Sequence, residues 1–404
     1  MKNSSSIAPL PLEGVRVLDL SRVFAGPLCT MSLGDLGAEI IKVEHPVRGD
    51  DTRDWGLHVS PNRTTYFNCA NRNKRSITLD LQSEEGQAIA RKLAAQSDIV
   101  IQNFKFGGAE KLNVGYEQLK ALKPDLIYCS ISGYNRHGPE AARPGYDLVV
   151  QAEAGLMHIN GEPDQPPLKF GTSVVDMFTG MYAAQAILAA LFERQKTGRG
   201  RHIELALFDS GISITAFHGL EALWRGQDLP RYGNNHPTII PYGVYDAADG
   251  PIIVAVGNNA QFNRFCTEVI QRPDILQDER FRTNVGRSEH RAELLPILKE
   301  EMIKRSRQEM LEAMSAAGIP CGEVLGLHET LNSERAQQSG NVERFQTEDG
   351  REAHVLTPPY RLDGDRLPVR MPPPVLGEAT DEILGGLLGL SEEDLTRLRA
   401  NGVI

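Results

Sequence analysis

Val15-Arg16-Val17-Leu18-Asp19-Leu20 is the stretch that decides the architecture, a short apolar run leading into the turn Ser21-Arg22-Val23-Phe24-Ala25-Gly26-Pro27. A helix-like segment from Pro27 to Leu36 follows, then a second apolar run, Glu39 to Val43. Strand, helix and strand in that order make a βαβ unit, the opening of a parallel α/β sheet. Outward from it the pattern repeats: Asp98 to Ile101, Leu126 to Ile131 and His202 to Leu207 are strand candidates, separated by helical stretches such as Glu84 to Ala95. The alternation predicts a doubly wound, Rossmann-like large domain. Past Trp224 the pattern changes to a hairpin, Tyr242 to Asp246 and Ile252 to Val256 around Asp249-Gly250, with helical segments at Asn263 to Ile270 and Arg291 to Ala316. The expected layout is therefore an α/β fold with a large-domain segment over 1–224, an inserted smaller α+β domain over 225–330, and a return segment over 331–404. Pro358 to Pro374 reads as an extended tract, and Ser391 with Glu392 and Glu393 starts a terminal helix.

A chain of 404 residues can bury more than one core. Its net charge of −10 argues against a nucleic-acid binder, so an anionic ligand must be met by local cations. No uninterrupted apolar run approaches the roughly 20 residues that span a bilayer, and MKNSSSIAPLPLEG lacks the apolar core of a signal peptide. The expectation is a soluble cytoplasmic protein with no membrane contact. The five cysteines are scattered and never in a C-x-x-C pair, and the histidines are isolated; the expectation is buried thiols and no metal site.

Four places could carry chemistry. The first βα turn has one glycine where a dinucleotide fingerprint needs three, so Glu44, which would suit a ribose, gives little support for a nicotinamide enzyme. Asn71-Arg72-Asn73-Lys74-Arg75-Ser76 is a basic knot, with Arg48, Arg53 and Trp55 upstream; it reads either as a solvated surface run or, with Asn103-Phe104-Lys105 at a strand end and Lys111 beyond, as a cradle for a phosphate-bearing nucleotide. Arg143-Pro144-Gly145-Tyr146-Asp147 is a tight turn, either an ordinary capped loop or the source of a Tyr146 hydroxyl for an oxyanion. Asp176, in Lys169 to Gly180 before the small-residue helix Met181 to Phe192, reads either as a helix cap or as a nucleophile that attacks an activated carbonyl.

Together these residues resemble the family III CoA-transferases over almost the whole chain, from Leu12 to Gly377. The motifs that carry the resemblance are Ala25-Gly26-Pro27, Leu36-Gly37-Ala38-Glu39-Ile40-Ile41-Lys42-Val43-Glu44, Asn73-Lys74-Arg75-Ser76-Ile77 and Lys196-Thr197-Gly198-Arg199-Gly200. The resemblance implies that Asp176 is the catalytic aspartate, acylated during transfer. It also implies that Phe24, Ala25, His45, Leu79, Asp80, Leu81, Gln82, Asn103, Phe104, Lys105, Lys111, Arg143, Tyr146 and Asp147 line the CoA site, with Trp55 approaching the acyl group. His45 stands where relatives often carry Arg. Tyr232 to Pro237, with Gly233 and Asn234 beside the substrate, replaces the glycine-rich loop of the oxalate-using members. Racemases of this family use a Gly-His-Asp motif; Gly145-Tyr146-Asp147 lacks that imidazole, which favours a transferase. The resemblance further implies an interlocked homodimer, no permanently bound cofactor, and coenzyme A as a substrate. Gly145 to Ile159, Ile240-Pro241-Tyr242 and Gly257 to Phe262 look like members that pair succinyl-CoA with a dicarboxylate such as glutarate, and a sulfinate analogue of succinate would fit the same chemistry. A non-catalytic CoA-binding protein is the alternative from another class.

Overall fold

The computed structural model describes residues 9–404. Six strands form one parallel sheet: β1 (Arg16–Asp19), β2 (Glu39–Glu44), β3 (Arg75–Thr78), β4 (Ile99–Gln102), β5 (Ile127–Ser132) and β6 (Arg201–Ala206). Their order across the sheet is β3-β2-β1-β4-β5-β6. The connecting helices are α1 (Ala25–Asp35) between β1 and β2, α2 (Glu84–Ala95) between β3 and β4, and α3 (Asp147–Glu153) and α4 (Val174–Thr197) between β5 and β6. Val17 pairs with Ile40 on one side and Ile99 on the other, and all three are fully buried, as a strand covered on both faces requires. The strand order reverses between β1 and β4, and in such sheets the crevice outside the strand ends at that point is where ligands bind.

The chain divides into two compact units. The larger comprises residues up to Gly155, Phe170–Gly219 and Glu334–Ile404. On one face of its sheet, Leu18, Leu20, Ile41 and Ile77 pack with Ile89 and Leu93 of α2 and with Ile383, Leu384, Leu395 and Leu398. Each such side chain contributes about 1.5–3 kcal/mol of burial free energy. The last four of these belong to α7 (Thr380–Leu388) and α8 (Glu392–Ala400), the latter opened by a Ser391–Asp394 capping box.

The smaller unit comprises Leu220–Ser333 together with Leu156–Lys169, a segment that the alternation pattern places in the large domain. Its antiparallel sheet contains β7 (Tyr242–Ala247), β8 (Gly250–Ala255) and β9 (Cys321–Glu323), in the order β9-β8-β7. The segment expected as one helix over Arg291 to Ala316 is two, α5 (Arg291–Met302) and α6 (Arg307–Ala316). The break falls at Ser306, whose hydroxyl caps α6 while Glu309 bonds back to the Ser306 amide, an S-x-x-E signal legible in the sequence.

Helix α4 bears on the membrane reading. At 24 residues, with a mean hydropathy of 1.5 over its most apolar window, it is long and apolar enough to cross a bilayer. In the fold it packs against α1 and β6, burying Val175, Ala183, Ala184 and Ile187. Gly180 lets α4 pack closely on α1: a Cβ there would lie 2.6 Å from the Ala25 carbonyl oxygen. Gly180→Val should therefore cost about 1–3 kcal/mol in denaturant unfolding. The cysteine expectation needs correction: Cys29, Cys129 and Cys266 are buried, but Cys69 is exposed and Cys321 half-buried.

Candidate active site

The loops at the C-terminal ends of β1, β4 and β5 line one cleft of the large unit, about 950 Å³ including its open mouth. Arg22 to Ala25 follow β1, Asn103 to Phe106 follow β4, Ser132 and Gly133 follow β5, Arg143 to Tyr146 lead into α3, and Asp176 stands in the first turn of α4. A second cleft opens beside it, lined by Leu20, His45, Arg48, Leu79, Asp80, Leu81, Gln82 and Leu112. Arg22, Asp51 and Phe104 line both, so the two form one groove suited to an elongated molecule.

Asp176 is not the helix cap. Ser173 occupies that position without a capping side-chain bond, and Asp176 lies three residues further on, inside the helix. The cap comes from α3: Asp147 Oδ2 accepts from the amides of Val175 at 2.8 Å and Asp176 at 3.2 Å. Gln151 holds Asp147 through its amide nitrogen, while its Oε1 accepts from the Phe170 amide at 2.9 Å. With the orphan amides satisfied from elsewhere, the Asp176 carboxylate carries no hydrogen bond among the described residues. It is half-buried; burial, and then the nearby Asp147 charge, push its pKa up from 3.8 to about 7. Tyr66 stands nearby, its phenol raised by burial and further by the Asp176 and Asp147 charges against a hydrogen bond from Ser173.

The remaining expected residues fall into distinct places. Tyr146 is 64% exposed and lines the first cleft. Arg143 is held by Glu140 at 2.8 Å and by Glu153, with its guanidinium 4.6 Å from the Tyr134 ring centroid. Asn103 brackets Arg22, accepting from its amide at 2.9 Å and donating to its carbonyl at 2.7 Å. Trp55 packs edge-on against Tyr66 and lines neither cleft, and Lys111 ends the short helix before Leu112 without lining one. Gly233 and Asn234 belong to the smaller unit, where the Gly233 amide donates to the Gly161 carbonyl.

The basic knot is neither a solvated run nor a phosphate cradle. Lys74 is fully buried, donating to Asp19 at 3.1 Å, to the Pro27 carbonyl at 2.8 Å and to Asn71 at 2.9 Å. Arg72 pairs with Asp35 at 2.5 Å, and Arg53 with Glu44 at 2.7 Å, which removes both Arg53 and the supposed ribose acid from any ligand. Buried charges persist only when paired, and in this chain the partners come from different strands and loops, which spacing along the sequence does not show. Sequence reading missed Val23 and Asp50. Val23 has φ +71, a left-handed backbone that costs a β-branched residue about 1–3 kcal/mol. No propensity signals it.

A parallel sheet with a groove at its switch point, ending at a carboxylate that has no hydrogen bond among the described residues, is the architecture of a ligand-binding α/β protein. The sequence matches CoA-transferase family III over residues 12–380, and the chain belongs to that family. A succinate–glutarate CoA-transferase from Agrobacterium fabrum is 40% identical over 383 residues, covering 93% of this chain and 96% of that protein. The human succinyl-CoA:glutarate CoA-transferase is 36% identical over 394 residues, covering 98% and 90%. The crystal structure of a CAIB/BAIF family protein from Brucella suis matches with a TM-score of 0.82 at 39% identity, covering 94% of this chain and all of that one.

Proposed function

We propose that this CoA-transferase moves CoA from succinyl-CoA to a free dicarboxylate such as glutarate, or to a succinate analogue such as a sulfinate, through covalent intermediates on Asp176. The observation that carries the reading is the Asp176 carboxylate, part-exposed in the cleft and without a hydrogen bond among the described residues, the cap being supplied by Asp147. Support for the substrates comes from relatives named for succinyl-CoA and glutarate. An Asp176 oxygen attacks the thioester carbonyl; the C–S bond breaks, leaving a mixed anhydride and CoA thiolate. The thiolate attacks the Asp176 carbonyl, forming an aspartyl-CoA thioester and releasing succinate. The acceptor carboxylate attacks that thioester, breaking its C–S bond to release CoA thiolate and leave a second anhydride; the thiolate then attacks the acceptor's acyl carbon, forming the new acyl-CoA and freeing the Asp176 carboxylate. The overall reaction exchanges one thioester and free acid for another thioester and free acid, so no external energy source is needed and the protein's task is alignment and exclusion of water. The groove holds the pantetheine end toward Asp176 and Tyr146, and the nucleotide end toward His45 and Leu79 to Gln82.

Incubating the purified enzyme with succinyl-CoA and a panel of free acids, with the CoA products read by mass, tests the assignment. New CoA esters of dicarboxylates are expected; none from any dicarboxylate would overturn it. The nucleophile must be ionised, so kcat/KM should rise with pH through a limb near the Asp176 pKa of about 7. Asp147→Asn keeps an oxygen for the cap but removes a negative neighbour, so that limb should move to lower pH. A pH–rate profile unchanged by this substitution would refute the coupling.

We further propose that the protein works in the cytoplasm and as a homodimer. The exposed apolar side chains Met181, Leu188 and Phe192 along α4 support a second copy. Sedimentation at about twice 44.5 kDa is the expected result.

A further inference from the structure

We propose that Asp50 is a positioning residue for the transfer reaction: it clamps Val23 in its left-handed conformation and thereby fixes the backbone from Arg22 to Ala25 against Asp176. The proposal rests on the reading of Asp176 as the acyl-accepting group. A β-branched residue keeps a positive φ only where its surroundings over-determine it, and the surroundings of Val23 do so. Both oxygens of Asp50 face the Val23 amide, at 3.2 and 3.3 Å. Asp50 is itself held from several sides: Lys42 Nζ donates to Oδ2 at 2.8 Å, the Thr52 amide and hydroxyl donate to Oδ1 at 3.0 and 2.8 Å, and the Asp50 amide donates to Glu44 at 2.9 Å. The Lys42 and Asp50 side chains are completely enclosed.

Lys42 also donates to the Ser21 carbonyl at 3.1 Å, so one ion pair ties the turn at Ser21 and at Val23, while Asn103 brackets Arg22 between them. Three consecutive residues are thus fixed, and the chain has one path onward through Phe24 and Ala25 into α1. That first turn of α1 abuts α4 at Gly180, one helical turn from Asp176. The Asp50 carboxylate, already met by Lys42 and by the Thr52 amide and hydroxyl, also reaches the Val23 amide in its disfavoured conformation, a contact the ion pair itself does not require. The clamp places the cleft-lining backbone where the thioester must lie to meet Asp176, and misplacement of such groups by an ångström slows turnover about 100-fold.

The test is a two-residue cycle read by steady-state kinetics and by CoA titration. Asp50→Asn should lower kcat about 10- to 100-fold while CoA affinity changes less than about threefold. Adding Val23→Gly should restore a large part of the lost kcat, because glycine holds a positive φ without a clamp. A purely stabilising Asp50 predicts no such rescue. Asp50→Asn at wild-type kcat, or a double variant no faster than Asp50→Asn, would overturn the proposal. Should Asp50→Asn fail to fold, amide exchange of the wild-type enzyme decides: Val23 is expected to exchange as slowly as the interior of α1, and exchange at the rate of an exposed loop would overturn the clamp. Wild-type enzyme that transfers CoA to no acid would refute the function reading instead, and the exchange measurement would still report on Val23.

Discussion

Asp176→Ala should abolish CoA transfer, by about 10⁴-fold or more, while leaving CoA binding within a few-fold of wild type. The reason is local. The carboxylate makes no hydrogen bond that its removal would orphan, and the amides at the start of α4 remain satisfied by Asp147. Alanine is the best helix former, so α4 keeps its first turn. The same substitution should raise stability with a definite pH dependence. A carboxyl whose pKa is raised from 3.8 to about 7 by folding binds its proton more tightly in the native state, so it costs stability increasingly as pH rises from about 4 and fully above about 7. The gain in melting temperature of Asp176→Ala should accordingly be larger at pH 8 than at pH 4. Hydroxylamine added to acyl-CoA-loaded wild type should convert Asp176 to its hydroxamate, located by peptide mass. Normal turnover in the alanine variant, or a hydroxamate at another residue, would end the nucleophile assignment.

Asp19→Ala should be the most destabilising single change in the large unit, by about 3–5 kcal/mol in urea unfolding, because it strands a buried ammonium. Asp19 is fully buried and accepts from Lys74 at 3.1 Å, Thr30 at 2.6 Å, and the amide and hydroxyl of Ser21 at 2.9 and 2.5 Å. Burial alone would raise its pKa; Lys74, Lys42 and the two hydroxyls outweigh that and hold it at about 2. A depressed carboxylate contributes stability that is present above its unfolded value, near 3.8, and lost as pH falls toward 2. Glu44 and Asp50 are depressed in the same direction, by Arg53 and Lys42 against the opposing effect of burial. The wild type should therefore unfold cooperatively in that acid window. Asp19→Ala/Lys74→Met, which replaces the pair by apolar groups, should recover most of the loss. A single Asp19→Ala variant as stable as wild type would show that the network is not needed for stability.

Local signals made the sheet legible. The strands expected at Asp98 to Ile101, Leu126 to Ile131 and His202 to Leu207 each shift by one residue; the first two are buried and print as apolar runs, whereas β6 is a part-exposed edge strand whose run includes Glu204. Helix α2 matches at both ends, with Ser83 as its cap. Of the residues expected at the site, those that lie together in one segment line the groove: Phe24 and Ala25, Asn103 to Lys105, and Leu79 to Gln82, with Asp176 beside them. What sequence could not supply is pairing across the fold. Lys74 and Arg53 look like surface cations until Asp19 and Glu44 appear beside them, and Asp147 looks like a binding residue until it is found capping a helix whose first residue is Val174. Val23 runs against its own conformational preference, so only the clamp around it makes it intelligible.

The core of the large unit joins residues that leave the ribosome far apart in time. The Thr78 amide donates to the Thr380 hydroxyl across 302 positions, and the Asp80 amide, beside the second cleft, donates to the Val403 carbonyl. At about 5–20 residues per second, on the order of 15–60 s separate the synthesis of these partners. Through that interval β3 lacks α7 and α8, and Leu20, Ile77 and Leu79 are only partly covered, by α2. The nascent chain must be shielded from aggregation until its last residues emerge, and a ribosome-stalled chain lacking residues 380–404 should be captured by chaperones and digested rapidly by protease.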